Sequence, residues 1–212
     1  QETFGAQLSQ SYGLTETVGV STFLRPEDHV VGPDSKLRSA GRAVPGLEVA
    51  IFDPETGEEM PTGEVGEVVT RGPGVTKSYW RNPEATAAAF WPGGWFRTGD
   101  AGYMDAEGYV FLKDRIKDLL MSGGENIYPA EVENAIMAHP AVQEVAVIGV
   151  PSERWGETPL AVVVPKAGES IDGDELITFT RERLAHYKCP TAVEVIEQLP
   201  RNPSGKVLKR EL

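Results

Sequence analysis

The chain has 212 residues, 40% of them hydrophobic, with a formal net charge of -12 and an isoelectric point near 4.8. That length fits one large or two modest domains with a packed core, and the acidic balance argues against broad electrostatic binding to nucleic acid or an anionic membrane. One cysteine, Cys189, excludes an internal disulfide and fits a reducing compartment.

No apolar run approaches the roughly 20 residues that span a bilayer. Residues 1–8 lack the basic and apolar regions of a signal peptide, do not begin with Met, and read as a helix tail from a longer chain. A cytoplasmic location is the expectation.

Leu47-Glu48-Val49-Ala50-Ile51-Phe52 and Gly66-Glu67-Val68-Val69-Thr70 alternate and predict two strands joined by the turn-rich Asp53-Pro54-Glu55-Thr56-Gly57. Asn82 followed by Pro83 predicts a helix over 83–90, with Asn82 as N-cap and Pro92-Gly93-Gly94 as its end. Two short strands are expected near Gly102-Tyr103-Met104 and Tyr109-Val110-Phe111-Leu112. The charged run Lys113-Asp114-Arg115-Ile116-Lys117-Asp118 then marks a domain boundary near Lys117.

Beyond it the expected order is helix, strand, strand, helix, strand. Pro129 opens the first helix, with Val132, Ala135, Ile136 and Met137 on or near one face. Val145 to Val150 and Leu160 to Val164 read as strands buried on both faces. A second helix is expected over 172–187, and Val193-Glu194-Val195-Ile196 as the last strand.

Four segments carry candidate chemistry. Tyr12-Gly13-Leu14-Thr15-Glu16 groups an aromatic face, a hydroxyl and a carboxylate, which a nucleotide phosphate with its metal ion could use. Spacing alone better describes an ordinary turn with a capping threonine. Asp100, in Trp95-Phe96-Arg97-Thr98-Gly99-Asp100, is suited at a tight turn to accept from two ribose hydroxyls, or simply to stabilise that turn. Ser122-Gly123-Gly124 lets backbone approach a ligand closely, or is a flexible turn. Pro203-Ser204-Gly205-Lys206 carries an ammonium that could meet a phosphate, or a solvated tail lysine.

Together, in this order, the four segments resemble the adenylate-forming superfamily, from about Ser9 to Leu212, and most of all bacterial fatty-acyl-CoA synthetases. The resemblance implies a mixed α+β fold, with residues 1–116 as a largely β remnant of the large AMP-binding domain and residues 117–212 as a small, mobile α+β domain. It implies ATP, Mg²⁺, coenzyme A and a carboxylic acid as ligands, with acyl-AMP as intermediate. Tyr12 would pack on adenine, with Gly13 also a cofactor-binding residue, Thr15 would touch the phosphate and Glu16 would hold the metal. Asp100 and Arg115 would take the ribose. Lys117 stands at the hinge, where many members carry Asp. Lys206 would serve adenylation, and Gly124 and Trp155 would line the coenzyme A arm.

The family's phosphate loop and acyl pocket lie upstream of Tyr12, so this chain alone is expected not to catalyse adenylation. A carrier-protein acceptor, an aryl acid substrate and a non-catalytic docking module are the alternatives. Neither the acyl chain nor the oligomeric state is legible.

Overall fold

A computed structural model describes residues 5–33 and 35–212. The chain divides into two compact units, Gln1–Ile116 and Lys117–Leu212. The architecture is mixed α+β and strand-rich. The expected helix tail over residues 1–8 lies outside the described residues at 1–4, and residues 5–8 form no helix.

In the first unit, β1 (Gln10–Tyr12), β2 (Thr22–Leu24) and β3 (Arg42–Ala43) form a small antiparallel sheet. Next come β4 (Glu48–Phe52) and β5 (Gly66–Arg71), the alternating pair read from sequence. In the turn between them, Asp53 Oδ1 accepts from the backbone N–H groups of Glu55 and Thr56.

Helix α1 (Pro83–Ala88) has the expected cap, Asn82 Oδ1 accepting from Ala85 N at 3.1 Å. It stops earlier than predicted. Phe90–Trp91 forms β6, and Pro92-Gly93-Gly94 is the hairpin turn into β7 (Trp95–Met104), not a helix end. Both glycines there have positive φ, 81° and 79°, which a tight hairpin requires. The edge-to-face contact of Phe90 with Phe96 rewards that pairing. β8 (Val110–Arg115) completes a sheet of order β4-β5-β7-β6, with β8 also on β7.

The second unit starts with an element the sequence reading missed, the hairpin β9 (Leu120–Ser122) and β10 (Glu125–Ile127). Helix α2 (Pro129–Met137) follows, then β11 (Val142–Ser152), β12 (Gly156–Pro165), α3 (Gly173–Arg181) and β13 (Ala192–Val195). β11 and β12 pair antiparallel, and β13 lies parallel to β12.

The continuous apolar runs of β11 and β12 are buried on both faces. Val147, Ala161 and Val163 pack with Val132 and Ile136 of α2 and Leu176 of α3. On the opposite face, Ala146, Val162 and Val164 pack with Leu199, Val207 and Leu212 of the C-terminal segment.

Two helix readings need correction. Met137 is 45% exposed, because it lies one residue, or about 100°, round the helix from the buried Ile136. α3 ends at Arg181 rather than Tyr187. Asp172 is its N-cap, and the chain turns after the helix so that Leu184 packs on the core.

Ile136 is fully buried beneath the sheet. Ile136→Ala is expected to destabilise the second unit by about 2–5 kcal/mol, read as a lowered urea midpoint at unchanged slope.

Candidate nucleotide and acyl-transfer site

The first unit brings two of its candidate residues, Tyr12 and Arg115, to one carboxylate. Asp100 does not sit at a tight turn, as expected from Thr-Gly-Asp, but inside β7 at a bulge. Glu67 pairs with Ala101 and Val69 with Arg97, so Thr98, Gly99 and Asp100 stand against Val68 alone. Gly99 supplies the positive φ of 71° that the extra residues demand.

Three contacts hold the bulge. Thr98 Oγ1 donates to Val68 O at 2.6 Å, Gly99 N donates to Glu67 Oε1 at 3.1 Å, and Arg115 Nη1 donates to Thr98 O at 3.0 Å. Glu67, only 2% exposed, is paired through its other oxygen with Arg97 Nε at 2.8 Å. A buried carboxylate needs such partners.

The Asp100 carboxylate then receives two predicted site residues. Tyr12 Oη donates to Oδ2 at 2.5 Å, and Arg115 Nε pairs with Oδ1 at 2.9 Å. Burial raises the Tyr12 phenol well above its usual range, and the negative charge of Asp100 adds to this. Tyr12 is therefore a fixed hydrogen-bond donor at neutral pH. A carboxylate offers about four acceptor positions, and these two partners set its orientation.

The Tyr12-Gly13-Leu14-Thr15-Glu16 segment leaves β1 and folds back into β2. A Cβ on Gly13 would lie 2.4 Å from the Gly19 carbonyl oxygen, so only glycine fits. The capping threonine is Thr17, whose Oγ1 accepts from Leu14 N at 2.9 Å and donates to Leu14 O at 3.0 Å. Thr15 carries no such duty and stays exposed. Glu16 accepts from Tyr79 Oη at 2.9 Å through Oε1, and its backbone carbonyl accepts from Thr76 N.

In the second unit it is Gly123, the neighbour of the predicted Gly124, that meets Trp155. The β9–β10 turn docks on the β11–β12 turn, with Gly123 N donating to Trp155 O at 2.9 Å. A Cβ on Gly123 would stand 2.8 Å from the Trp155 ring, whereas Gly124 meets nothing within 4 Å but needs φ of 87°. Trp155 is 46% exposed, and the Arg154 guanidinium lies over its ring at 4.6 Å. Lys206 stands on a separate hairpin, closed by the Arg201–Val207 bridge, and is exposed. Lys117 is exposed in a short 3-10 turn, Ile116–Asp118. The buried Cys189 thiol is pushed up in pKa by burial and is a poor nucleophile.

Sequence reasoning missed Thr98, Glu67 and Tyr79. Only Glu67 left a signal, a carboxylate beside the apolar pair Val68-Val69 within a strand.

Among the described residues, no three His, Cys, Asp or Glu side chains gather into a metal-binding group. A single carboxylate, Glu16, suits a cation such as Mg²⁺ that takes most of its ligands from phosphates and water. No described helix is long and apolar enough to cross a membrane.

The family model for AMP-binding enzymes matches residues 1–80, and that for the AMP-binding enzyme C-terminal domain matches residues 131–206, together more than half of the chain. The chain belongs to the AMP-binding enzyme family. It is 47% identical over 206 residues to a fatty acid–[acyl-carrier-protein] ligase of Streptomyces coeruleorubidus, covering 97% of this chain and 39% of that one.

A solved structure, o-succinylbenzoate CoA synthetase of Bacillus subtilis with the acyl-adenylate intermediate OSB-AMP, superposes with a TM-score of 0.89 at 42% identity. That match covers 98% of this chain and 41% of the synthetase. The same synthetase with ATP and a magnesium ion gives a TM-score of 0.86 at 42% identity, over 96% and 41% of the two chains. The chain thus spans about two fifths of the length of these relatives.

Proposed function

We propose that this chain forms part of an ATP-dependent acid–thiol ligase that activates a carboxylic acid as acyl-AMP and passes the acyl group to coenzyme A. The observation that carries this reading is the convergence of Tyr12 and Arg115 on the Asp100 carboxylate, 88 residues from Tyr12. That arrangement suits a nucleoside: an aromatic face beside a carboxylate oriented to accept from ribose hydroxyls.

In adenylation, a substrate carboxylate oxygen bonds to the α-phosphorus of ATP and the bond to pyrophosphate breaks. Thr15 donates to the phosphate. Glu16 would hold Mg²⁺, which supplies charge neutralisation to the phosphates. Lys206 offsets the repulsion between the carboxylate and the triphosphate. In the second step the thiol sulfur bonds to the acyl carbon and AMP leaves, with Gly124 and Trp155 beside the pantetheine arm. The first unit is the end of the large AMP-binding domain, the second is the small domain, and Lys117 is the hinge.

The acid is proposed to be aliphatic. A carrier-protein acceptor is the second reading, favoured by the likeness to the Streptomyces ligase. Carboxylate-dependent pyrophosphate release by the complete enzyme, over a panel of aliphatic and aromatic acids, tests both. Pyrophosphate with a thioester only when coenzyme A is present is the expected result. Pyrophosphate without any coenzyme A thioester would transfer the proposal to a carrier protein, and no pyrophosphate with any acid would end it.

A further inference from the structure

The hairpin that presents Lys206 is built around one side chain that the reaction scheme does not use. Asn202 Oδ1 accepts from Ser204 N at 3.1 Å, from Ser204 Oγ at 2.8 Å and from Lys206 N at 2.9 Å. Because backbone N–H groups can only donate, the amide oxygen must face the loop. The backbone of the same residue closes the turn, with Asn202 N donating to Lys206 O at 2.9 Å and Gly205 N donating to Asn202 O at 2.9 Å. Gly205 supplies the positive φ of 83° that the turn needs.

The loop is also tied to the sheet. Arg201 Nη1 donates to Gly205 O at 2.7 Å, and its Nη2 pairs with Glu144 of β11 at 2.8 Å. Val207 packs beneath, against the outer face of β11 and β12. An exposed five-residue loop has little apolar burial of its own to order it, so its shape depends on these polar contacts.

We propose that Asn202 is a positioning residue for Lys206: its amide oxygen sets the backbone from which the catalytic ammonium projects, and Arg201 fixes that turn to β11. The proposal rests on the role given to Lys206 above. Its physical ground is that a lysine on a flexible stem acts as a point charge, so its effectiveness depends on where its backbone is held, and a misplacement of about 1 Å can cost on the order of 10²-fold in rate.

The test compares Asn202→Ala, Asn202→Thr and Lys206→Ala in the complete enzyme, with thermal unfolding as a control for folding. Asn202→Ala is expected to lower kcat for pyrophosphate release roughly 10- to 100-fold. KM for ATP and the rate of thioester formation from supplied acyl-adenylate should stay within about threefold of wild type, an allowance of ~0.7 kcal/mol. Asn202→Thr replaces the amide oxygen with a hydroxyl oxygen that can accept in the equivalent turn and is expected to recover most of the lost rate.

A general loosening of the domain would instead slow both half-reactions, and Thr would not rescue it; that result overturns the proposal. If Asn202→Ala is silent while Lys206→Ala is crippled, the positioning role fails and the catalytic role of Lys206 stands. If Lys206→Ala is also silent, the reading of Lys206 itself fails, and the positioning role with it.

Discussion

Lys206→Ala is expected to slow carboxylate-dependent pyrophosphate release by the complete enzyme by about 10²- to 10³-fold, the usual cost of one preorganised charge at a reacting centre. The reason lies in the chemistry of the proposed first step, which brings a carboxylate against a triphosphate. The Lys206 side chain is exposed on a short, internally bonded hairpin. A charge presented in this way contributes most where negative charge accumulates.

The second step carries no such repulsion, so thioester formation from supplied acyl-adenylate should be retained within a few-fold. Acetylation of Lys206 removes the same charge and should reproduce the defect. Equal losses in both half-reactions, or full adenylation activity in the acetylated enzyme, would sink the assignment.

Asp100→Ala should cost ATP use about as much, by a different route. Its carboxylate is held by Tyr12 Oη and Arg115 Nε, at 2.5 and 2.9 Å. If it accepts from two ribose hydroxyls, each bond to the charged group contributes about 1.5–3 kcal/mol. At 1.4 kcal/mol per tenfold, that is roughly 10²- to 10⁴-fold in kcat/KM for ATP.

The substrate provides the control. Wild type should prefer ATP to 2′,3′-dideoxy-ATP by a similar factor, and Asp100→Ala should lose that preference, because the coupled pair is then already broken. An unchanged preference in the variant would show that Asp100 does not read the ribose. A modest loss of stability should accompany the substitution, since the half-buried Tyr12 phenol loses its acceptor.

Much of this arrangement is legible in the sequence. Alternation located β4 and β5, and Asn82-Pro83 located the start of α1, because strand period and helix caps are local properties of a few consecutive residues. The continuous apolar runs of β11 and β12 announced burial on both faces. The order of the four motif segments pointed to the family, and the family comparisons support it.

What only the tertiary structure decided depended on partners distant in sequence. Thr-Gly-Asp reads as a turn, yet Gly99 sits in a strand because Glu67, 32 residues away, accepts its N–H and β5 pairs on both sides of the bulge. Residues 182–187 look helical, but burying Leu184 against the core wins over continuing α3. The Gly123-Gly124 turn gained its meaning only when Trp155 closed against it. The sequence by itself determined which chemical groups are present and which short segments carry them. Folding determined which groups meet, bringing Tyr12 and Arg115 onto one carboxylate, because hydrogen bonds and burial act between neighbours in space and leave no periodic trace along the chain.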